Sequence, residues 1–193
     1  TECTGSCRSP RLAPAPPPVE TILNYSIHFS ANNYKAFSLL VNETIDLSTY
    51  SDIPAGTTVL SYFNTIGQSQ IRVKSPISPL NYILFPGSSY WMRFPQDYDL
   101  NIVGTVLPTQ KQYTENFDAN NYKAFGLVVN NTVDLSTYSD IPAGTTVLSY
   151  FNTFGQSQIR VKSPSSPLNY ILYPGSSYWM RFPQDYHCLL YTS

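Results

Sequence analysis

Side chains that could do chemistry are few in this sequence, and their spacing is poor for catalysis. Only two histidines occur, His28 and His187, so neither copy of the repeat described below has one between residues 31 and 98 or between 119 and 186. A serine or cysteine nucleophile needs a base within hydrogen-bond reach, usually a histidine oriented by a third group. The chain has no Gly-rich phosphate loop, dinucleotide fingerprint, zincin helix or Gly-x-Ser-x-Gly elbow. Asp46, Asp52 and Asp97 offer the carboxylates that a glycoside hydrolase pairs. Each, however, sits in turn-forming sequence, where a short acidic side chain accepts from backbone N–H groups. The chain is therefore expected not to be an enzyme.

Metal ligation fares no better. Asn42, Glu43, Asp46 and Asp52 bring hard oxygens close in sequence, the donor type calcium takes, but the position equivalent to Glu43 in the second copy is Asn131. Cys3 and Cys7 have the spacing of half a metal site with no second pair to complete it. They are read as disulfide candidates, joined to each other or to further sequence in an oxidising compartment. No metal, cofactor or thiol catalysis is expected.

Binding chemistry has better candidates. In Tyr90-Trp-Met-Arg-Phe94, alternate residues of a strand face opposite ways. If Tyr90, Met92 and Phe94 face a core, Trp91 and Arg93 point outward, where an indole suits stacking on a sugar ring or packing on a partner. The opposite reading buries Trp91. Tyr90, Trp91, Arg93 and the second-copy Trp179 and Arg181 are the candidate ligand-binding residues. Asn24, Asn42 and Asn130 each begin an Asn-x-Ser/Thr sequon and are the glycosylation candidates.

These residues are carried by a sequence that repeats itself. Residues 31–98 recur as 119–186 at a constant offset of 88, and seven of the 68 positions differ: Ser38/Gly126, Leu40/Val128, Glu43/Asn131, Ile45/Val133, Ile66/Phe154, Ile77/Ser165 and Phe85/Tyr173. A period this long is a small domain, not a solenoid turn, and both copies are expected to share one fold. Residues 36–41 alternate with period two, which places Phe37, Leu39 and Val41 inward. Residues 57–63 and 68–74 read as a hairpin around Asn64–Gly67, with Ile71 and Val73 also inward and Gln70, Arg72 and Lys74 outward. Phe125, Leu127, Val129, Ile159 and Val161 follow by equivalence. Residues 81–85 and 88–94 read as a second hairpin about Pro86-Gly87. Residues 21–29 open unit one and residues 100–107 look like its closing strand. No such continuation is visible after His187, so if residues 100–107 close unit one, unit two lacks its closing strand and exposes a sheet edge; the alternative is that residues 100–107 open unit two and nothing is missing.

About seven short strands per unit, with no helix-period segment, predict an all-β chain of two tandem antiparallel β-sandwiches of immunoglobulin-like type, with small β-barrels as the alternative. Residues 1–20 form a Cys-containing, Pro-rich leader, 21–108 the first repeat and 109–187 the second. The last six residues, 188–193, back-translate to a sequencing-adapter end and are read as a translated scar, not part of the fold. Ile53-Pro-Ala-Gly-Thr-Thr and Leu84-Phe-Pro-Gly-Ser-Ser-Tyr90, each before a strand, resemble the small immunoglobulin-like repeats of secreted microbial surface proteins. The resemblance implies an extracellular or cell-surface location.

With 193 residues, a net charge of −1, 12% charged residues and 16 tyrosines, the chain lacks the basic stripe of a nucleic-acid binder. It also lacks an apolar run long enough to span a membrane. The expected function is that of an extracellular structural or adhesive repeat protein: a surface stalk, filament subunit or fibre whose partners are other copies of itself or neighbouring repeats. The alternative is a tandem carbohydrate-binding module that uses exposed Trp and Tyr on glycans.

Overall fold

The computed structural model describes residues 21–62, 69–107, 113–150 and 157–190. The leader with Cys3 and Cys7, the loop around Asn64–Gly67, the Ile66/Phe154 pair and residues 191–193 lie outside the described residues. Unit one contains β1 (Ile22–Phe29), β2 (Tyr34–Phe37), β3 (Ile45–Asp46), β4 (Thr58–Tyr62), β5 (Ser69–Val73), β6 (Ile83–Leu84), β7 (Tyr90–Arg93) and β8 (Tyr98–Thr105). Unit two repeats the series as β9 (Tyr113–Phe117), β10 (Tyr122–Phe125), β11 (Val133–Asp134), β12 (Thr146–Tyr150), β13 (Ser157–Val161), β14 (Ile171–Leu172), β15 (Tyr178–Arg181) and β16 (Tyr186–Leu190). The chain is all-β, built of several small antiparallel sheets, none closed into a barrel.

Strand order is the same in both units. One sheet runs β2-β7-β4-β5, and its counterpart runs β10-β15-β12-β13. Opposite it lie the ribbon β1-β8 and the short pair β3-β6. In unit one a bridge from Val41 to Val106 links the chain just after β8 to the chain entering β3, which sets these two pairs side by side as a second row. The two rows meet in a core of Phe29, Phe37, Val59, Leu84, Met92, Phe94 and Leu100, all from unit one. The second core draws every residue from unit two.

Aromatic anchors fix where the ribbon leaves the core. Phe29 pairs with Tyr98 across β1 and β8, and the Tyr98 ring stacks on Phe94 at 4.4 Å. Phe117 and Tyr186 repeat the pairing, with the Tyr186 ring stacked 4.3 Å from Phe182. Burial raises the pKa of the Tyr98 hydroxyl, and the neighbouring Asp52 carboxylate adds to the shift.

Several expectations need correction. Phe37, Leu39, Val41 and their equivalents Phe125, Leu127 and Val129 are buried as expected. Ile71 (52% exposed), Val73 (60%), Ile159 (52%) and Val161 (60%) are not. Their strands β5 and β13 are the outer strands of their sheets, and Arg72 is exposed too. The expected facing is off by one residue: Arg72 pairs with the buried Val59, and Ile71 pairs with Leu60 beside the outward Trp91. Ile71 and Val73 therefore lie on the outer face, while Gln70 and Arg72 lie on the core-bearing face, past the edge of the core. The stretch around Pro86-Gly87 is not a hairpin either. β6 pairs with β3, whereas β7 pairs with β2 and β4, so this turn carries the chain from one row to the other. Gly87 takes a φ of +77° there, a left-handed conformation that favours glycine.

Unit two does not lack a closing strand. Cys188, Leu189 and Leu190 pair with Glu115, Thr114 and Tyr113 in β9, so residues first set aside from the fold supply its last strand. Main-chain groups make a ladder, and residues unlike those of β8 can therefore occupy the same edge.

Candidate functional site

The same cleft occurs in each unit, built from three separated segments. In unit one it occupies about 380 Å³ beside the edge strand β5, and in unit two about 360 Å³ beside β13. Asp46, Ser48 and Asn81 line one side in unit one, with Gln70 and Arg72 on β5 facing them. Tyr82, Ile83 and Phe85 supply the apolar wall. Every lining residue of the second cleft is the equivalent of one in the first, and one exchange separates them, Phe85 for Tyr173.

Local sequence explains why these side chains converge. Asp46 ends β3 and caps a single 3₁₀ turn over Leu47–Thr49, accepting from the Ser48 amide at 2.9 Å. Those bonds from Ser48 hold the Asp46 carboxyl below its ordinary pKa, so it is ionised at neutral pH. Leu47 is buried and donates its amide to the Tyr82 carbonyl at 2.9 Å, which joins the turn to the segment before β6. The Tyr82 hydroxyl donates to Ser61 Oγ at 2.7 Å, and Tyr170 does the same to Ser149 at 2.7 Å. Desolvation raises the Tyr170 hydroxyl above its usual pKa, partly offset by Ser149 and Arg160. The Phe85 amide donates to the Tyr90 hydroxyl at 2.6 Å, fixing the Phe85 backbone while its ring stays half in solvent. Arg72 Nη1 donates to its neighbouring carbonyl, Ile71, at 3.0 Å.

The cleft thus presents one cation, one carboxylate, two primary amides and a hydroxyl above an aromatic-aliphatic wall. That set binds polyols well: amides and charged groups accept and donate to vicinal hydroxyls, and an exposed ring covers the apolar face of a sugar. One carboxylate lines it, whereas glycoside hydrolysis uses a pair. Two other acidic residues considered from the sequence serve the backbone, and Asp52 bonds the Tyr98 side chain. Asp97 accepts from the Ala31 amide at 2.7 Å, and Glu43 accepts from the Thr105 amide at 2.7 Å. Among the described residues no three His, Cys, Asp or Glu side chains cluster as a metal site, and no helix is long and apolar enough to cross a membrane.

The ligand candidates read from the sequence lie elsewhere. Tyr90 faces inward and is 2% exposed, so it cannot offer its ring to a ligand. Trp91 and Arg93 occupy the outer face of the same sheet, both half-buried. Arg93 lies over the Tyr34 ring at 5.6 Å, and that ring is 6.2 Å from Trp91. Arg181, Tyr122 and Trp179 repeat the ladder at 5.4 and 6.2 Å. The sequon residues Asn24 and Asn42 are exposed and Asn130 is half-buried. Sequence reasoning missed the cleft because its polar residues read singly as turn caps or outward strand positions. The one available signal was the exchange of Phe85 for Tyr173, which keeps an aromatic ring at an exposed position.

Each cleft runs on into a groove between the units. Gln70, Tyr82, Ile83 and Phe85 also line a space of about 420 Å³ whose far wall is Glu115, Lys123 and Phe125 of unit two. Gln158, Tyr170, Ile171 and Tyr173 line the equivalent space of about 260 Å³, closed by Lys35 and Ala36 of unit one. Comparison with known proteins finds no matching family model, no similar curated protein and no similar solved structure.

Proposed function

We propose that this chain is an adhesive, extracellular glycan-binding protein with two equivalent carbohydrate sites, one per unit. The observation that carries this reading is the duplicated cleft, in which a cation, a carboxylate, amides and an exposed ring recur with a single aromatic exchange. We read each unit as a β-sandwich in jelly-roll order, its rows β2-β7-β4-β5 and β1-β8-β3-β6. An immunoglobulin-like sandwich instead sets its first strand beside its second, whereas here the first strand pairs with the last. Jelly rolls include lectin domains, which supports the reading only by analogy of fold. The surface location rests on the low charge, the richness in Tyr and the exposed sequon residues Asn24 and Asn42.

Two sites on one chain raise avidity for a surface bearing many copies of one sugar. The test is binding of the full chain to a glycan array, followed by titration of the best ligand into wild type, Arg72→Ala, Arg160→Ala and the double variant. Each single variant should halve the stoichiometry in solution and weaken retention on an immobilised glycan by roughly 100-fold. The double variant should not bind. Binding that survives in the double variant would remove the clefts from the account. No glycan bound by the wild type would remove the function.

A further inference from the structure

The units pack against each other about an approximate two-fold axis, because equivalent residues meet. Ser89 and Ser177, which are 88 positions apart, are hydrogen-bonded to each other and buried. The Ser38 amide donates to the Gly175 carbonyl at 2.9 Å, and the equivalent Gly126 amide donates to the Gly87 carbonyl at 2.8 Å. Such reciprocity defines an isologous interface.

Two of the seven differences between the copies fall here and break the symmetry. A Cβ built on Gly126 would lie 2.2 Å from Ser38 Cβ and 2.5 Å from its Oγ. Two serines therefore cannot face each other at this backbone separation. Ser38 itself is 1% exposed and donates its hydroxyl to the Ser176 carbonyl at 2.9 Å, a bond that two facing glycines would both forgo. The second difference flanks the first: Leu40 packs toward Gly175 and Val128 toward Gly87, where an added Cβ would meet them at 3.1 and 2.6 Å.

We infer that the Ser38/Gly126 and Leu40/Val128 exchanges are the specificity determinants of this interface, so that it accepts one unit of each kind and rejects two copies of unit one. The surface fits a repeat that carries glycine where the first carries serine, and the chain supplies that partner to itself. The inference does not depend on the clefts binding sugar.

The test uses the full chain and three variants. Gly126→Ser introduces a residue that unit one already tolerates at the equivalent place, so unit two keeps its fold while the interface clashes. The double variant Ser38→Gly with Gly126→Ser reverses the asymmetry and should restore the pairing, since a Cβ at 126 would lie 3.3 Å from the Ser88 carbonyl that mirrors the Ser176 acceptor. Ser38→Gly alone should keep the pairing. The readouts are amide exchange at positions 38 and 126 and the radius of gyration from small-angle scattering, with strand amides of β12 and β15 reporting the fold. Gly126→Ser should exchange at both interface amides about tenfold faster, the equivalent of one lost hydrogen bond, and enlarge the radius of gyration. The double variant should return both readouts to wild-type values. Wild-type exchange and size in Gly126→Ser would overturn the inference, as would a double variant that stays open.

Discussion

The two ribbons make the most informative comparison in the molecule, because they pair alike from unlike sequences. Residues 31–98 and 119–186 are nearly identical, so their common strand order teaches little. The flanking strands are different: β1 reads ILNYSIHF where unit two has QKQYTENF, and β8 reads YDLNIVGT against YHCLL in β16. Both ribbons nonetheless begin at a Phe–Tyr pair beside a buried Phe, and both zip outward from it. The lesson is that the aromatic anchor sets the register, and main-chain pairing follows with whatever residues come next. Among the described residues, eight paired positions are seen in unit one and five in unit two. Unit one also has Glu43 bonded to Thr105 and the bridge from Val41 to Val106 at the far end of the ribbon.

Removing the anchor's support tests the first half of this comparison and should have the largest effect. Phe94 and Phe182 are fully buried at equivalent places. Phe94→Ala or Phe182→Ala should each destabilise its own unit by about 3–5 kcal/mol. Because the two cores share no residue, chemical denaturation of either variant should separate into two transitions, with the unaltered unit unfolding last. If both units melted together after either change, the cores would be acting as one and the ribbons could not be compared independently.

Much of the fold was legible because the strongest signals were local. Period two in residues 37–41 located a core face correctly, since that segment faces the core of its own unit throughout. The same pattern in β5 misled, because alternation says which residues share a face and not which face meets the core: Ile71 and Val73 share the outer face with Trp91, and Arg72 shares the inner one with Val59. Ser38 shows the converse: it lies opposite the core residues Phe37 and Leu39 along the chain yet is buried, covered by the second unit. Nothing within one repeat predicts that cover, although the Ser38/Gly126 difference marked the place. The cleft was illegible for a related reason. Asp46, Arg72 and Phe85 come from segments that meet only when β3 pairs with β6 beside the sheet edge, and each has an ordinary local role.

Exchanging one lock residue sharpens the second half of the comparison, with a moderate effect. Glu43→Asn gives unit one the residue that unit two carries at that place. Its carboxylate accepts from the Thr105 amide at 2.7 Å and also from the Thr105 hydroxyl. Losing a bond to a charged but exposed acceptor should lower unit one's stability by about 1 kcal/mol. Hydrogen exchange should show the Thr105 amide opening faster, while the amides near Phe29 are unchanged. No response at Thr105 after the change would show that this lock does not set local stability.

The smallest effect is a pH dependence at the lip of the unit-one cleft. Asp46 is held below its ordinary pKa of 3.8 by the side chain and backbone of Ser48. A carboxylate whose folded pKa is depressed adds stability above its unfolded pKa and loses that contribution as pH falls through the folded one. The window therefore opens near pH 4 and extends below it. Asp46→Asn keeps an acceptor for the Ser48 amide but cannot ionise. Wild type should melt slightly higher than Asp46→Asn at pH 7, and the gap should close as both are taken to about pH 2, well below the usual carboxylate range. Since the carboxyl is fully exposed, added salt should shrink the gap at pH 7 as well. A gap that persists unchanged from pH 7 to pH 2 would mean that Asp46 holds the 3₁₀ turn by shape alone. Its charge would then remain free for a ligand's hydroxyls in the cleft, and not be shared with Ser48.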